Sequence, residues 1–235
     1  MNGKKRITPM LLIMLILLLA GIHSGIFAQQ TPEVITDRDG NIYKTVMIGD
    51  QIWMAENLRT TSLNDGTPVV NETDMTKWVQ ITTPAYSWCN NDIGTKEPYG
   101  ALYNWYAVNT GKLCPSGWRV PSDEDWKKLT DFLGGHEIAG GKLKESGTVN
   151  WNSPNTGATN ESGFTAVPAG YRYGYFWGQG TFYENGINGY YFTSTECTDT
   201  HIWTRTMNSG NTKIYRSIFV KNNGFSVRCI KGLQN

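Results

Sequence analysis

The sequence predicts an α+β domain in which two helices accompany several strands and long loops. Aromatic residues make up 12% of the chain and glycines number 26, a composition typical of strands and turns. The segment 122–133 combines a helix start signal with apolar residues at helical spacing. From residue 190 onward, β-rich runs alternate with turn residues, which indicates a closing series of strands.

The first 28 residues are predicted to be a signal peptide. Basic residues at 4–6 precede an apolar run at 10–22, which is shorter than the roughly 20 residues of a membrane span. Ala28 offers a small residue for cleavage; an uncleaved signal anchor is the alternative. Cleavage predicts an exported protein, extracellular, at the cell surface or in the periplasm. Residues 29–35 are then a short lead to a single domain over 36–235.

The charge of the mature chain bears on its partners. Removing residues 1–28 leaves 18 Lys and Arg against 20 Asp and Glu, a net charge near −2. A nearly neutral chain is not expected to bind nucleic acid, nor a membrane once the signal is removed. The expected partner is therefore a glycan or a cell-surface protein.

Four cysteines remain in the mature chain. An even number in an oxidising compartment predicts two disulfides, for which three connectivities are possible. We favour Cys114–Cys229 together with Cys89–Cys197. No CxxC pair occurs and two histidines follow residue 28, so no metal site is predicted.

The N-terminal third predicts strands and one short helix. Three β-rich runs between 34 and 58, separated by glycine turns, predict a three-stranded meander. Asp37, Asp39 and Asn41 resemble the opening of a calcium loop, but Ile48 holds the twelfth position, so a turn is favoured. Residues 99–108 are predicted to form a short helix because Leu102, Trp105 and Tyr106 share one face.

The central helix has the clearest sequence signal. Ser122 suits the N-cap, and Asp125 three residues later completes a capping-box pair. A glycine pair at 134–135 ends the helix. Its buried face is predicted to comprise Trp126, Leu129, Phe132 and Leu133.

The second half of the chain predicts the ligand site. A long polar loop at 148–162 surrounds Trp151, and loops of that length are usually functional or disordered. Aromatic residues alternating with glycines at 171–180 suit a hairpin with exposed rings, which stack well on sugar faces. The alternative for each ring is burial in the core. The candidate ligand-binding residues are Trp151, Tyr171, Tyr173, Tyr175, Phe176, Trp177 and Tyr183. Four strands are predicted to follow, at 190–195, 202–207, 214–220 and 225–230.

Several phrases together resemble one family, the Fibrobacter succinogenes major paralogous domain (FISUMP). They run from about Thr36 to the C-terminus and comprise Asp39-Gly40-Asn41-x-Tyr43, Trp53-Met54-Ala55-Glu56-Asn57-Leu58, Tyr99-Gly100-Ala101-Leu102-Tyr103-Asn104-Trp105, Leu113-Cys114-Pro115-Ser116-Gly117-Trp118-x-Val120-Pro121, Ser162-Gly163-Phe164-Thr165-Ala166, Ser194-Thr195-Glu196 and Gly224-Phe225-Ser226-Val227-Arg228-Cys229. The family is typical of exported proteins of Bacteroidetes and Fibrobacter.

The resemblance implies a fold similar to the C-type-lectin-like superfamily, which includes the formylglycine-generating enzymes. That fold packs two helices on a small, mostly antiparallel twisted sheet, and its long loop, here about 134–191, carries binding. Cys89 and Cys197 stand where the family commonly has an aromatic residue, which supports their pairing. Phe192 replaces the Trp that usually neighbours the Ser194-Thr195-Glu196 phrase.

The function expected from the sequence is an exported, non-catalytic binding module for carbohydrate or another extracellular ligand. No catalytic residue and no cofactor is predicted, with calcium as an alternative at 90–92 or 150–155. A structural envelope or appendage subunit is the second hypothesis. A formylglycine-generating oxidoreductase is less favoured, because its copper chemistry needs a pair of accessible thiols and the four cysteines here are far apart in sequence.

Overall fold

The structure, a computed structural model, describes residues 34–175, 177 and 179–232. These residues belong to one compact unit. The predicted signal peptide and the candidate ring Phe176 lie outside the described residues. Among the residues that are described, no helix is long and apolar enough to cross a membrane.

The described part of the chain is an α+β structure dominated by strands. Its strands, in chain order, are β1 (Val34–Thr36), β2 (Ile42–Ile48), β3 (Gln51–Met54), β4 (Val70–Asn71), β5 (Ala85–Trp88), β6 (Ala101–Tyr103), β7 (Trp118–Arg119), β8 (Tyr171–Arg172), β9 (Phe182–Tyr183), β10 (Asn188–Glu196), β11 (His201–Asn208), β12 (Ile214–Val220) and β13 (Ile230–Lys231). Its α-helices are α1 (Met75–Gln80), α2 (Lys96–Tyr99), α3 (Trp105–Val108), α4 (Asp123–Phe132) and α5 (Ala139–Leu143).

The strands form four sheets. A five-stranded antiparallel sheet has the order β1-β2-β3-β13-β7, and its first three strands are the predicted meander. Strands β10, β11 and β12 form a second, antiparallel sheet in sequence order. The remaining sheets are β4-β5-β6, in which β4 pairs parallel, and the β8-β9 hairpin. Side chains in β2 alternate between exposed and buried, as a strand with one face on the core requires.

Helix α4 confirms the prediction for the central segment. The Ser122 side chain accepts a hydrogen bond from the Asp125 backbone N–H, and the Asp125 carboxylate accepts from the Ser122 N–H. Arg119 donates to both oxygens of Asp125 and so fixes the capping box. Trp126 is fully buried, and its Nε1 donates to the Phe192 carbonyl oxygen at 3.2 Å.

One residue of the predicted buried face of α4 is exposed instead. Phe132 is 65% exposed at the last turn of α4, although Leu129 and Leu133 are buried as expected. The ring lies against Gly49, in the turn between β2 and β3, and most of its surface remains in contact with solvent.

Two predicted elements have different boundaries in the structure. Residues 99–108 do not form one helix: Gly100 has φ +71° and lies too close to the Leu58 carbonyl for a side chain, so the chain leaves α2 and enters β6. Asn104 then caps α3 by accepting a hydrogen bond from the Ala107 N–H. The closing run at 225–230 makes isolated bridges from Phe225 to Tyr103 and from Ser226 to Tyr191 before β13 begins. It crosses the core between sheets and therefore lacks one continuous partner strand.

The disulfide prediction is half confirmed. Cys114 and Cys229 are bonded, with their Cα atoms 6.0 Å apart. The predicted Cys89–Cys197 bond is wrong, because both of these thiols are free. Cys89 is buried directly after β5, whereas Cys197 follows β10 and its N–H donates to the His201 carbonyl in the β10–β11 turn. The two residues thus follow strands of different sheets.

Candidate binding groove

The candidate site is a groove on one face of the β10-β11-β12 sheet, with a volume of about 410 Å³. The register places Tyr190 opposite Thr206 and Thr206 opposite Tyr215, so all three strands contribute to this face. The period of two along a strand brings further residues to the same side. The groove is lined by Asn188, Tyr190, Thr206, Asn208, Asn211, Tyr215, Ser217 and Phe219.

Aromatic rings form the apolar part of the groove. Tyr190 packs edge-on against Phe219, with ring centroids 5.6 Å apart, and stacks on Phe225 at 5.4 Å. Tyr215 is 41% exposed and presents its ring to solvent on the edge strand β12. The groove thus offers flat apolar surfaces that are held in place from behind.

A chain of hydrogen bonds fixes the polar side chains at one end of the groove. The Tyr190 hydroxyl and the Asn188 amide both donate to the Glu184 carboxylate. Asn208 Nδ2 in turn donates to Asn188 Oδ1 at 2.7 Å. Burial, together with the Glu184 carboxylate, raises the pKa of Tyr190, so its hydroxyl stays a neutral donor.

Thr206 contributes a polar atom that has no partner within the described structure. The residue is 8% exposed, and its Oγ1 makes no hydrogen bond. Two residues earlier on the same strand, Thr204 donates its hydroxyl to the Ser217 carbonyl oxygen at 3.2 Å. A buried hydroxyl without a partner is unfavourable, and it belongs to a residue that lines the groove.

Lys144 supports the groove from behind. Its Nζ donates to the carbonyl oxygens of Thr156, Asn208 and Asn211 at 3.0, 2.9 and 2.8 Å. Burial lowers the pKa of Lys144 to about 8, while the three carbonyl oxygens favour its charged form. Because Asn208 and Asn211 line the groove, this lysine ties its rim to the long loop that contains Thr156.

Three of the predicted ligand residues lie together in or beside the β8–β9 hairpin. Tyr171 stacks on Tyr183, with centroids 5.6 Å apart and planes 29° apart, and Tyr173 meets Tyr183 edge-on at 6.0 Å. Tyr171 also contacts Tyr190 at 5.0 Å, which connects this ring cluster to the groove.

The other predicted ligand residues lie elsewhere. Tyr175 and Trp177 are exposed, the latter by 82%, in the connection between β8 and β9. Tyr175 borders a different cavity, with Asp199 and Asn222. Trp151 is buried, with 1% of its surface exposed, and its Nε1 donates to the Ala166 carbonyl at 2.9 Å. Its ring fills the core beneath the loop rather than facing solvent.

Sequence reasoning missed the residues that form the groove itself. A signal was available, because Tyr215, Ser217 and Phe219 alternate within a correctly predicted strand and must share a face. The polar and aromatic character of that face is a signal of a ligand site that the sequence alone carries.

The acidic turn that resembles a calcium loop binds its own backbone. Asp37 Oδ1 accepts hydrogen bonds from the N–H groups of Asp39 and Asn41, and Asp37 Oδ2 accepts from the Tyr43 hydroxyl. Within the described residues, no three His, Cys, Asp or Glu side chains gather in a way that could hold a metal ion.

Comparison with known proteins identifies the family. A family model described as the Fibrobacter succinogenes major domain matches residues 46–231. No curated protein and no solved structure matches the chain. The family match spans β3 through β13 and includes the groove, the disulfide and α4. The chain therefore belongs to the Fibrobacter succinogenes major domain family.

Proposed function

We propose that this protein is an exported, non-catalytic module that binds a neutral glycan in the groove. The observation that carries the proposal is the lining of the groove, in which the exposed ring of Tyr215 lies among amide and hydroxyl side chains. A sugar would stack its C–H face on that ring, and its hydroxyls would bind the amides and hydroxyls of the lining.

The lining of the groove indicates the class of glycan. Its eight residues carry amides, hydroxyls and aromatic rings, and none of them carries a formal charge. A uronic acid or sulfate group would find no cation there and would lose hydration without compensation. The volume of about 410 Å³ lies within the usual range for small-ligand sites.

The proposed fold is C-type-lectin-like. The buried Trp126 on a helix that follows Pro121 supports it, as does the closing segment that ends in the Cys229 disulfide. Export is proposed from the apolar run at 10–22. The oxidoreductase alternative has less support, because burial raises the pKa of Cys89 to about 11 and leaves little reactive thiolate.

A second candidate function is a structural subunit that binds proteins by strand addition. Strand β12 is seven residues long and lies at the edge of its sheet, where its outer backbone groups could pair with another chain. This candidate would leave the groove itself without a role.

Calorimetric titration with polysaccharides tests the proposal. The panel comprises neutral β-glucan, xylan and mannan together with acidic polygalacturonate, each with calcium and with a chelator. We expect one neutral class to bind equally in both conditions, and Tyr215→Ala to weaken that binding by about tenfold because a stacked ring is lost. Phe132→Ala removes an exposed ring outside the groove and serves as the matched control, with binding unchanged.

The other outcomes assign the function elsewhere. Binding that survives Tyr215→Ala but is lost in Trp177→Ala would place the site in the β8–β9 connection. Binding that disappears with the chelator would indicate calcium. A panel without any binding would contradict the glycan proposal and favour strand addition at β12.

A further inference from the structure

A second cavity lies on the opposite face of the β10-β11-β12 sheet, between that sheet and the C-terminal half of α4. Its volume is about 370 Å³, and its wall includes Arg205 from β11, Arg216 from β12 and Lys127 from α4. This cavity is independent of the proposed glycan groove, although Tyr215 on the edge strand borders both.

The lining of the cavity has more cations than carboxylates. Arg205 Nη1 donates to Asp123 Oδ1 at 2.6 Å, and Arg216 Nε donates to both oxygens of the same carboxylate at 3.0 Å. Lys127 is paired with Asp131 one turn along α4. The lining itself thus holds three cations and one carboxylate, Asp131, while Asp123 and Glu124 neutralise these cations from outside the lining.

Arg216 is the cation of the lining that keeps hydrogen-bond donors for a ligand. Its guanidinium carbon lies 3.1 Å from the centroid of the Trp203 ring, so the ring holds the plane of the guanidinium. Among the described residues, its hydrogen bonds involve Nε alone, and its side chain is 47% exposed. The two terminal nitrogens keep the paired donors that match a carboxylate.

The remaining lining is mixed. Ile214 is buried, while Asp131 and His136 add polar groups. The Thr130 hydroxyl donates to the Trp126 carbonyl oxygen at 2.7 Å. An apolar residue beside an arginine fits a ligand that carries a carboxylate on an apolar group.

We propose that this cavity binds a carboxylate attached to an aromatic or aliphatic group, with Arg216 as the anchor. The carboxylate would accept two hydrogen bonds from the terminal nitrogens of Arg216, and the apolar part would lie against Ile214. Lys127 would add to the attraction from the rim of the cavity.

Fluorine NMR titration with 4-fluorophenylacetate tests this proposal, with 4-fluorophenylacetamide as the uncharged match. We expect the acid to bind at least about tenfold more tightly than the amide, and Arg216→Gln to remove this difference, because a paired charged hydrogen bond is lost. Lys127→Gln should cause a smaller loss. Arg38→Gln removes an exposed arginine outside the cavity and should leave the affinity unchanged.

Thermal unfolding of each variant shows whether it is folded. If Arg216→Gln does not fold, Arg216→Lys replaces it as the test variant. Lysine keeps the positive charge beside Asp123 but loses the planar pair of donors. A severalfold weaker affinity in Arg216→Lys supports the proposal. Equal binding of acid and amide, or full affinity in a folded Arg216 variant, overturns it.

Discussion

At the scale of single residues, Thr204 and Thr206 form a natural comparison. Both are buried on β11, but only the Thr204 hydroxyl has a hydrogen-bond partner. We expect Thr206→Val to raise the free energy of unfolding by up to about 1 kcal/mol, because it removes an unsatisfied polar atom at nearly constant shape. Thr204→Val should lower the free energy of unfolding by about 1 kcal/mol for the opposite reason.

Urea unfolding of the two valine variants in the absence of ligand checks this contrast. Equal losses in both would mean that the Thr206 hydroxyl already has a hydrogen-bond partner in the free protein.

The candidate rings show what sequence can and cannot establish at this scale. The sequence predicted that aromatic residues among glycines would be exposed, and Trp177 is 82% exposed. It could not distinguish Trp151, which is surrounded by equally polar neighbours but fills the core. The difference lies in a tertiary contact, the hydrogen bond from Trp151 Nε1 to the Ala166 carbonyl, and no local pattern encodes that contact.

At the scale of elements, Lys144 joins three segments that have no sheet pairing with one another. Its ammonium binds the long loop at Thr156, the end of β11 at Asn208 and the β11–β12 turn at Asn211. Replacing Lys144 with Met leaves three carbonyl oxygens without their donor. We expect the free energy of unfolding to fall by about 2 kcal/mol or more near neutral pH.

The same lysine gives the stability a pH dependence. Its pKa in the folded protein is about 8, below the ordinary value of 10.5, because of burial. Between these values the unfolded chain holds a proton that the folded chain has released, so the free energy of unfolding rises with pH. The slope contributed by one such group reaches about 1.4 kcal/mol per pH unit.

Denaturant unfolding of the wild type and of Lys144→Met across this range isolates the effect. The buried tyrosines Tyr43 and Tyr103, whose pKa values burial raises, are shared by both proteins and cancel in the difference. The difference between the two curves should widen in favour of the wild type above pH 8. Parallel curves would show that the three carbonyl oxygens hold the ammonium at its ordinary pKa.

Helices and strands were predicted correctly where the sequence signal lies within the element itself. Helix α4 carries its own start signal at Ser122 and Asp125, and the β10–β12 strands carry their own turns. The helix predicted over 99–108 failed because Gly100 meets the Leu58 carbonyl, a residue more than forty positions earlier. Helical spacing in that segment reflects burial on all sides of β6 rather than one helical face.

At the scale of the whole molecule, the Cys114–Cys229 bond closes the domain. It links the segment before β7 to the segment before β13, two strands that also pair with each other. The bond spans 115 residues, so it restricts the unfolded chain strongly and contributes about 4–5 kcal/mol in the chain-entropy treatment. Replacing both cysteines with alanine should lower the free energy of unfolding by about this amount.

The distribution of free thiols gives the most direct test of the whole structure. Alkylation of the native, unreduced protein should label the half-buried Cys197 first, because Cys89 is buried and its pKa is raised to about 11. Unfolding without reductant should expose both thiols, and reduction should release the two bonded ones, as mass measurement after each step would show. Cys197→Ser is the control, because it should abolish the rapid labelling and leave the slow labelling of Cys89. An unfolded, unreduced protein that accepts no label would instead mean that Cys89 and Cys197 form a disulfide, which would contradict the two free thiols of the structure.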